Sequence, residues 1–197
     1  MARVPAAARV GVYGLRVKLS YPDPALSDRG VLLRPWGDGD LDCVREAATD
    51  AGIPAGTTVP TVFTPEEGLA FISRQRQRIE NGEGVSLVIS DASTGRACGL
   101  TWLGVRPQPG VMGLGYWVVP SARGQGFGTR AARLAVDWAL SEVGMARVEA
   151  WVEPDNVASQ RLLIAAGFTR EGVLRSFLSF NERRVDAVVF SRTTQDA

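Results

Sequence analysis

The stretch Gly115-Tyr-Trp-Val-Val-Pro-Ser-Ala-Arg-Gly-Gln-Gly-Phe-Gly-Thr129 decides how this chain folds. It starts with apolar, β-forming residues, breaks at Pro120, and then brings three glycines within five positions. Directly after the glycines, apolar residues recur with helical spacing, as they do on a helix with one buried face. The stretch therefore predicts a strand, a tight glycine-rich turn and an amphipathic helix.

The glycine-rich turn has the composition of an anion site. Gly124, Gly126 and Gly128 remove side chains where the backbone turns, so that N–H groups can point toward one spot beside the positive end of the next helix. Arg123 and Thr129 can add side-chain donors. The alternative is a turn that only joins the strand to the helix.

Two nucleotide-binding patterns do not fit the turn. G-x-x-x-x-G-K-[ST] fails because no lysine follows the glycines. G-x-G-x-x-G, counted from Gly124 and Gly126, fails because Thr129 stands where the third glycine belongs.

The rest of the chain alternates strand and helix patterns. Strands are predicted at Val31–Trp36, Val85–Ser90, Ala97–Val105, Met112–Val119, Arg147–Val152, Thr169–Ser179 and Val185–Arg192. Helices are predicted after Asp38, from Thr64 to about Asn81, after the glycines, and from Asp155 or Asn156 to Gly167. The segments Gly52–Phe63 and Asn181–Arg184 are expected to be loop and turn, and Arg74, Arg76 and Arg78 to form a solvated helix face. The order predicts an α+β fold with a mixed, mostly antiparallel central sheet, in which residues 1–30 form an N-terminal arm, 31–192 one domain and 193–197 a tail.

Composition excludes several classes of protein and of catalytic site. Of 197 residues, 45% are hydrophobic and 22% charged, which is the balance of a globular domain and not of a disordered chain. A net charge of +1 gives no overall field for nucleic acid or an anionic membrane, and no apolar run is long enough for a membrane span. The absence of histidine excludes Ser-His-Asp and Cys-His catalysis. Cys43 and Cys98 are expected to be small buried apolar residues, and we predict a reducing, cytoplasmic location.

A more specific pattern is R-x-x-G-x-G, formed by Arg123, Gly126 and Gly128, with Pro120 at the end of the strand before it. The segment Asn156–Phe168 adds an N-x-x-S pattern that is followed by Gly-Phe. Together these residues resemble the GNAT superfamily of acyl-CoA-dependent N-acyltransferases, and most closely the branch that acetylates the N-termini of ribosomal proteins. The resemblance covers about residues 31–192 and implies the GNAT fold, with helices on both faces of the sheet.

The resemblance implies acetyl-CoA as the cosubstrate, with no metal. The backbone N–H groups expected to hold the CoA pyrophosphate are those of Arg123, Gly124, Gln125, Gly126, Phe127, Gly128 and Thr129. Backbone groups of Val118 and Val119 would pair with the pantetheine arm like an added strand, Asn156 would bind the pantetheine region, and Ser159 would lie near the thioester sulfur.

Simple chemistry supports these roles. Asn156 and Ser159 are three residues apart and so share a helix face. A hydroxyl beside the sulfur can donate a hydrogen bond to the leaving thiolate, and an N–H near Val118 can stabilise the oxyanion of the tetrahedral intermediate. The candidate catalytic residues are Ser159, Asn156, Tyr116 and Glu149.

The general base is left open by the sequence. Relatives often carry a carboxylate on the strand after the Gly-Phe pair, whereas Leu174–Phe180 contains none. The candidates are Glu149, Glu153, Tyr116, Glu66 or Glu67, or a chain of water molecules. Without a base, an α-amine with a pKa of about 8 is an easier acceptor than a lysine near 10.4.

We therefore expect transfer of an acetyl group from acetyl-CoA to a primary amine by direct attack in a ternary complex. The acceptor is either a protein N-terminus or a small molecule such as a polyamine, an amino acid or an aminoglycoside. The tryptophans Trp36, Trp102, Trp117, Trp138 and Trp151 are expected in the core, with Trp102 or Tyr116 as candidates for the acceptor pocket.

Three alternatives stay open at this point. They are transfer of a larger acyl group such as succinyl, a CoA-binding sensor or partner-binding module without catalysis, and an ATP-binding protein. Neither nucleic acid nor a membrane is an expected partner. Dimers are common in the family, so that the resemblance leaves a homodimer open.

Overall fold

The computed structural model describes residues 19–180 and 183–195. Its strands are β1 (Leu26–Ser27), β2 (Val31–Arg34), β3 (Gly84–Asp91), β4 (Ala97–Val105), β5 (Val111–Val118), β6 (Arg147–Val152), β7 (Thr169–Phe180) and β8 (Arg183–Thr193). Its α-helices are α1 (Leu41–Ala48), α2 (Gly52–Gly56), α3 (Pro65–Glu80), α4 (Phe127–Ser141) and α5 (Val157–Ala165). Most of the predicted N-terminal arm, half of the turn predicted at 181–184 and the last two residues lie outside the described residues.

The described strands form one sheet in the order β1-β2-β3-β4-β5-β6-β8-β7. Every neighbouring pair is antiparallel except β5 and β6, which are parallel and are joined through the crossover helix α4. A parallel pair needs such a long connection, whereas antiparallel neighbours can be linked by short turns. The mixed, mostly antiparallel sheet confirms the predicted fold class.

Helices cover both faces of this sheet. Consecutive side chains of a strand point to opposite faces, so Trp117 and Val118 mark the two sides of β5. Phe71 of α3 packs against Trp117, with ring centroids 6.4 Å apart. On the opposite side Gly128 of α4 lies against Val118.

The helix starts follow their capping residues. The Thr64 hydroxyl accepts the Glu67 N–H at 3.2 Å, and Pro65 takes the first helical position, as predicted. The predicted loop Gly52–Phe63 was wrong at its beginning, where α2 forms. The Asp50 carboxylate accepts the N–H groups of Gly52 and Ile53 at 2.9 and 3.0 Å, and the Ile53 side chain is buried. Capping and burial together outweigh the low helix propensity of the Gly- and Pro-containing turn.

Two boundaries differ from the sequence prediction. Strand β1 lies inside the predicted N-terminal arm and pairs with β2 through Leu26 and Leu33. Strand β5 ends at Val118, and Pro120 opens a short 3₁₀ turn. The division into arm, domain and tail stays a prediction.

The core contains most of the residues expected there. Trp36, Trp117 and Trp138 are buried, and Trp36 meets Phe71 edge-on at 5.4 Å. Trp102 and Trp151 are only half-buried and border a cavity. Cys43 and Cys98 are both buried and unbridged. Burial raises the pKa of the Cys43 thiol, so that it stays protonated.

Candidate active site

The candidate site is a gap inside the sheet. Strands β5 and β6 pair only where Val111–Gly113 face Arg147–Glu149. Beyond these residues both strands continue, and a cavity of ≈ 960 Å³ is lined by Leu114–Val118 on one side and Ala150–Glu153 on the other. The two strands therefore separate beyond their short parallel pairing, and the cavity lies between them.

Strand β5 turns backbone hydrogen-bonding groups toward this gap. In an antiparallel pair, residues that bond across the ladder alternate with residues whose N–H and C=O point away from it. The N–H of Val119 donates to Cys98 at 2.9 Å, so the alternation turns Leu114, Tyr116 and Val118 away from β4. Their backbone groups consequently face the gap, where an extended ligand can pair with them.

The glycine-rich turn closes one end of the cavity. Gly124 and Gly126 have φ values of +75° and +80°, which L side chains rarely adopt. Gly126 is also the N-terminal cap of α4. Among the described residues, no protein acceptor receives the N–H groups of residues 124–129, and the next N–H, of Arg130, bonds to the Gly126 carbonyl at 3.1 Å. Six donors at a helix N-terminus suit a diphosphate, so these residues fit the pyrophosphate of CoA. The Arg123 N–H, also expected there, is not available, because it donates to the Pro120 carbonyl at 3.2 Å.

Gly128 has a packing role. A Cβ at this position would lie 2.7 Å from Cδ1 of Leu162 and 3.4 Å from Cγ2 of Val118. The glycine therefore lets α4 approach α5 and the end of β5. This contact holds the two helix N-termini at the same cavity.

Helix α5 brings Asn156 and Ser159 to the cavity wall. The Asn156 side-chain oxygen caps the helix by accepting the Ser159 N–H at 3.0 Å. The Ser159 carbonyl accepts the Tyr116 hydroxyl at 3.3 Å, while the Ser159 hydroxyl has no protein partner among the described residues. All three residues line the cavity, so the structure brings together three of the four predicted catalytic residues.

Burial raises the pKa of Tyr116 to about 12, and the hydrogen bond to Ser159 only partly opposes this shift. The phenol is therefore protonated at neutral pH. It can donate a hydrogen bond, but it is a poor general base.

Arg123 links the glycine turn to another part of the chain. Its guanidinium lies 2.8 Å from the Asp50 carboxylate, and its Nε donates to the Val118 carbonyl at 3.1 Å. The backbone N–H bonds from Gly52 and Ile53 and the Arg123 ion pair lower the pKa of Asp50, against the opposing effect of its burial. Sequence reasoning missed Asp50, whose signal was its position two residues before Gly52, typical of an Asx cap.

Three predicted site residues lie outside the cavity. Val119 is fully buried, and its N–H and C=O bond to Cys98 and Ala122. The Gln125 side chain is exposed and donates to the Ser121 carbonyl at 3.1 Å. Glu149 is held 3.4 Å from both Arg106 and Arg147. The structure therefore does not bring Val119 or Glu149 to the same place as Ser159.

The carboxylates proposed as a base are separated by the fold. Glu66 and Glu67 are exposed in the first turn of α3 and do not border the cavity. Glu153, directly after β6, does border it and forms an ion pair with Arg183 at 3.2 Å. Among the carboxylates proposed from sequence, Glu153 is thus the one that can face an amine in the cavity.

The end of the cavity opposite the glycines is built by side chains of several elements. Arg78 of α3 lies over the Trp102 ring at 4.5 Å, and both border the cavity. The expected solvated face was wrong for Arg78, although Arg74 and Arg76 are exposed. Residues two apart on a helix are about 200° apart around its axis, so Arg76 lies opposite Arg74 and Arg78. Arg78 shares a face with Arg74 but differs from it in stacking on Trp102.

Two features are absent from residues 19–180 and 183–195. None of the helices there is both long and apolar enough to cross a membrane. In the same residues, no group of three or more histidine, cysteine, aspartate or glutamate side chains could hold a metal ion.

Known proteins resemble this chain in both sequence and fold. "Probable N-acetyltransferase YjcK" of Bacillus subtilis is 34% identical over 121 residues, which cover 60% of this chain and 67% of YjcK. Coverage is smaller for "Uncharacterized N-acetyltransferase YoaA" of the same organism, where the match spans 44% of the relative's own length.

Among solved structures, Mycobacterium smegmatis RimJ in complex with CoA-disulfide has a TM-score of 0.73 at 24% identity, covering 84% of this chain and 83% of RimJ. The ribosomal-protein-S5-alanine acetyltransferase of Vibrio fischeri has a TM-score of 0.70 at 20% identity, covering 87% and 97% of the two chains. At these identities the likeness shows a shared fold. The sequence of residues 31–169 matches the acetyltransferase (GNAT) domain, and the chain, with its glycine turn at the end of a divided sheet, belongs to that acetyl-CoA-dependent family.

Proposed function

We propose that this protein transfers the acetyl group of acetyl-CoA directly to a primary amine, which enters the cavity from the end opposite the glycines. The observation that carries the proposal is the row of unbonded N–H groups at residues 124–129. All of these residues except Gln125 line the same cavity as Ser159 and Tyr116. A ligand anchored there by its diphosphate can extend along β5 toward both hydroxyls.

The residues divide the work along the cavity. The turn would hold the pyrophosphate, and the N–H groups of Tyr116 and Val118 would pair with the pantetheine arm. Because Tyr116 lies farther from the turn than Val118, the N–H of Tyr116 would face the carbonyl oxygen, where negative charge develops. Acetyl-CoA supplies an activated acyl carbon, and the protein contributes mainly by holding that carbon against the amine.

The proton balance of the reaction suggests a role for the Ser159 and Tyr116 hydroxyls at the leaving thiolate. As the N–C bond forms and the C–S bond breaks, the ammonium of the acceptor loses two protons. One is taken up by the departing thiolate and the other is released to solvent. Ser159 and the protonated Tyr116 are the donors for the thiolate, because neither has an acidic or basic partner in the cavity.

Glu153 is the group that we propose to take the amine proton, directly or through water. It borders the cavity on the β6 side, facing β5 across the gap. Its ion pair with Arg183 is exposed, so that water can reach the carboxylate.

The test measures thiol release from acetyl-CoA with a panel of primary amines that includes N-terminal peptides, amino acids and polyamines. We expect turnover with at least one amine, and a fall in kcat of about tenfold or more for Ser159→Ala, because an acid–base donor is lost. Ser141→Ala is the matched control, since Ser141 lies exposed on α4 with its hydroxyl bonded to Asp137.

Binding of CoA without turnover of any amine would contradict this proposal and favour a sensor. Turnover of succinyl-CoA in preference to acetyl-CoA would contradict the choice of acyl group. A ribosomal-protein N-terminus as the acceptor, a homodimer and a cytoplasmic location stay predictions.

A further inference from the structure

We propose that Arg78 selects acceptors that carry an anionic group beside the reacting amine, such as a carboxylate or a phosphate. This inference rests on the proposed function, because it names the chemical class of the acceptor. It goes beyond the family match, which names no acceptor.

Arg78 lies at the acceptor end of the cavity. Its guanidinium stacks on Trp102 at 4.5 Å, and Trp102 pairs with Gly115 across the β4–β5 ladder. A Cβ at Gly115 would lie 3.6 Å from the Trp102 ring, so this ring covers the strand next to Tyr116. Gly115 shares a strand face with Trp117, which packs on α3. Arg78 therefore reaches the cavity from the α3 face of β5, whereas the Tyr116 side chain lies on the opposite face, where its hydroxyl bonds to Ser159.

The charges around the cavity leave Arg78 uncompensated. Asp50 pairs with Arg123 at 2.8 Å, and Glu153 pairs with Arg183 at 3.2 Å. Within residues 19–180 and 183–195, Arg78 forms no ion pair. The charge of Glu83 raises the pKa of Arg78 and that of Arg74 lowers it, both less than burial does. The Glu83 carboxylate makes no ion pair with Arg78 and accepts a hydrogen bond from Asn81 at 3.0 Å.

The donors of Arg78 are also unused. None of its N–H groups has a hydrogen-bond partner among the described residues, although the side chain is half-buried. Burial lowers the pKa of the guanidinium, which shows that its charge is poorly solvated there. Stacking on a ring holds such a cation in place but does not satisfy its N–H groups.

An anionic group on the acceptor would give Arg78 both an ion-pair partner and hydrogen-bond acceptors for its N–H groups. A planar guanidinium binds a carboxylate or phosphate through two parallel hydrogen bonds, which are stronger than bonds between neutral groups. A polyamine would instead bring a second positive charge next to Arg78. The cavity thus favours amino carboxylates, amino phosphates, or peptides with an acidic residue near the N-terminus over polycations.

The experiment compares amines that differ only in the anionic group. The pairs are alanine and alaninamide, O-phosphoethanolamine and ethanolamine, and the peptides Ala-Asp and Ala-Asn with amidated C-termini. For each, kcat/KM is measured with the wild type, Arg78→Gln and Arg76→Gln. Arg76 is the matched control, because it lies on the same helix but pairs with Asp38 outside the cavity. Since a neighbouring charge also changes the pKa of the amine, the quantity compared is the change in each ratio between proteins, in which that effect cancels.

We expect Arg78→Gln to reduce the charged-to-neutral ratio about tenfold or more for the preferred pair, since charge-assisted bonds are lost. The KM for acetyl-CoA should not change, and Arg76→Gln should keep the wild-type ratio. Arg78→Lys, which keeps the charge without the planar fork, should lie between them and also checks that the site tolerates substitution. The pair that responds most distinguishes carboxylate, phosphate and peptide acceptors.

Two results would overturn the inference while leaving the proposed function intact. One is turnover with the same ratio in the wild type and Arg78→Gln. The other is a rise in the acetyl-CoA KM that is equal for all acceptors, which would make Arg78 a CoA contact. If the wild type turned over no amine at all, the proposed function would fail and the inference would fall with it.

Discussion

The two ends of the cavity are built from different parts of the polypeptide. At the end that we propose to bind CoA, the available donors are consecutive backbone N–H groups of residues 124–129. At the acceptor end, the lining consists of side chains from separate elements, among them Thr58, Arg78, Trp102 and Glu153. Backbone donors recognise a group that every CoA ester shares, whereas side chains can discriminate between acceptors. Substitutions at the two ends should therefore change different kinetic constants.

The largest effect is expected at the CoA end. Gly126→Ala forces an alanine into φ +80° and distorts the row of N–H groups. We expect the KM for acetyl-CoA to rise about 100-fold, equivalent to losing one or two charge-assisted hydrogen bonds. Steady-state kinetics at a saturating acceptor concentration measures this.

The control for that variant is Gly144→Ala, at φ +76° with open space around the Cβ position and outside the cavity. Both variants should lose similar thermal stability, because both strain the backbone. An equal rise in the acetyl-CoA KM for both would refute the assignment of the turn as the diphosphate site.

Tyr116 lies between the two ends and should affect kcat. Tyr116→Phe removes a donor for the thiolate, and we expect kcat to fall about tenfold or more with little change in either KM. Because burial raises the pKa of Tyr116 to about 12, the folded state keeps this proton when an unfolded tyrosine loses it near pH 10.

That raised pKa also predicts how stability depends on pH. The unfolded chain binds fewer protons between about pH 10 and 12, so the wild type should lose stability as the pH rises through this range, by on the order of 2 kcal/mol. Tyr116→Phe should lose less. Denaturant unfolding at pH 9 and pH 11 measures the difference, and identical losses would show that the phenol is not buried in solution.

A carboxylate at the acceptor end should affect the pH dependence of catalysis. We expect Glu153→Gln to lower kcat about tenfold at pH 7, with recovery at higher pH as more of the amine becomes neutral. The loss should be larger for a lysine side chain than for an α-amine, whose pKa is about two units lower. Glu149→Gln is the informative comparison, because this residue faces Arg106 and Arg147. A larger loss for Glu149→Gln would make that residue the base instead.

The smallest functional effect is expected at Gln75, a buried residue that borders the cavity. Gln75 is 1% exposed, accepts the Ser86 hydroxyl at 3.1 Å and lies 3.4 Å from the Thr58 hydroxyl. Gln75→Leu should cost about 1–3 kcal/mol of unfolding free energy, because the buried Ser86 hydroxyl loses its partner. Combining it with Ser86→Ala should restore most of this loss, and urea unfolding of the three variants measures it. The acetyl-CoA KM should not change, whereas the acceptor KM should rise only a few-fold.

The sequence predicts the glycine-turn end of the cavity better than the acceptor end, because the first is built from contiguous residues and the second from separate segments. The strand, glycine turn and helix are contiguous, so local pattern located Gly126 and the α4 N-terminus directly. Ser159 and Asn156, which the sequence also singled out, reach the same cavity together because one helix turn joins them. Asp50 and Arg78 come from distant segments, and their place depends on how α1 and α3 pack on the sheet.

Some misplacements arose at the level of single residues. Val119 was expected beside Val118, but strand alternation turns their backbone groups in opposite directions. Arg78 was grouped with Arg76, although helical geometry separates them. Glu149 has a side chain that could act as a base, but it already forms ion pairs with Arg106 and Arg147. Each of these outcomes depends on the direction in which a backbone group or side chain points, or on its ion-pair partners. Residue type alone does not encode either.

The gap between β5 and β6 has one more consequence. A row of unpaired strand groups is normally an aggregation hazard, because any other extended polypeptide can add to it. Here the open edge of β5 lies within the sheet, and β6 closes on it at Gly113 and Glu149. A narrow extended ligand can enter the gap between β5 and β6. A β-strand from a neighbouring molecule cannot, because the sheet has no continuous exposed edge there along which it could pair. The unpaired groups of β5 can thus stay open to an extended ligand without making the protein a template for self-association.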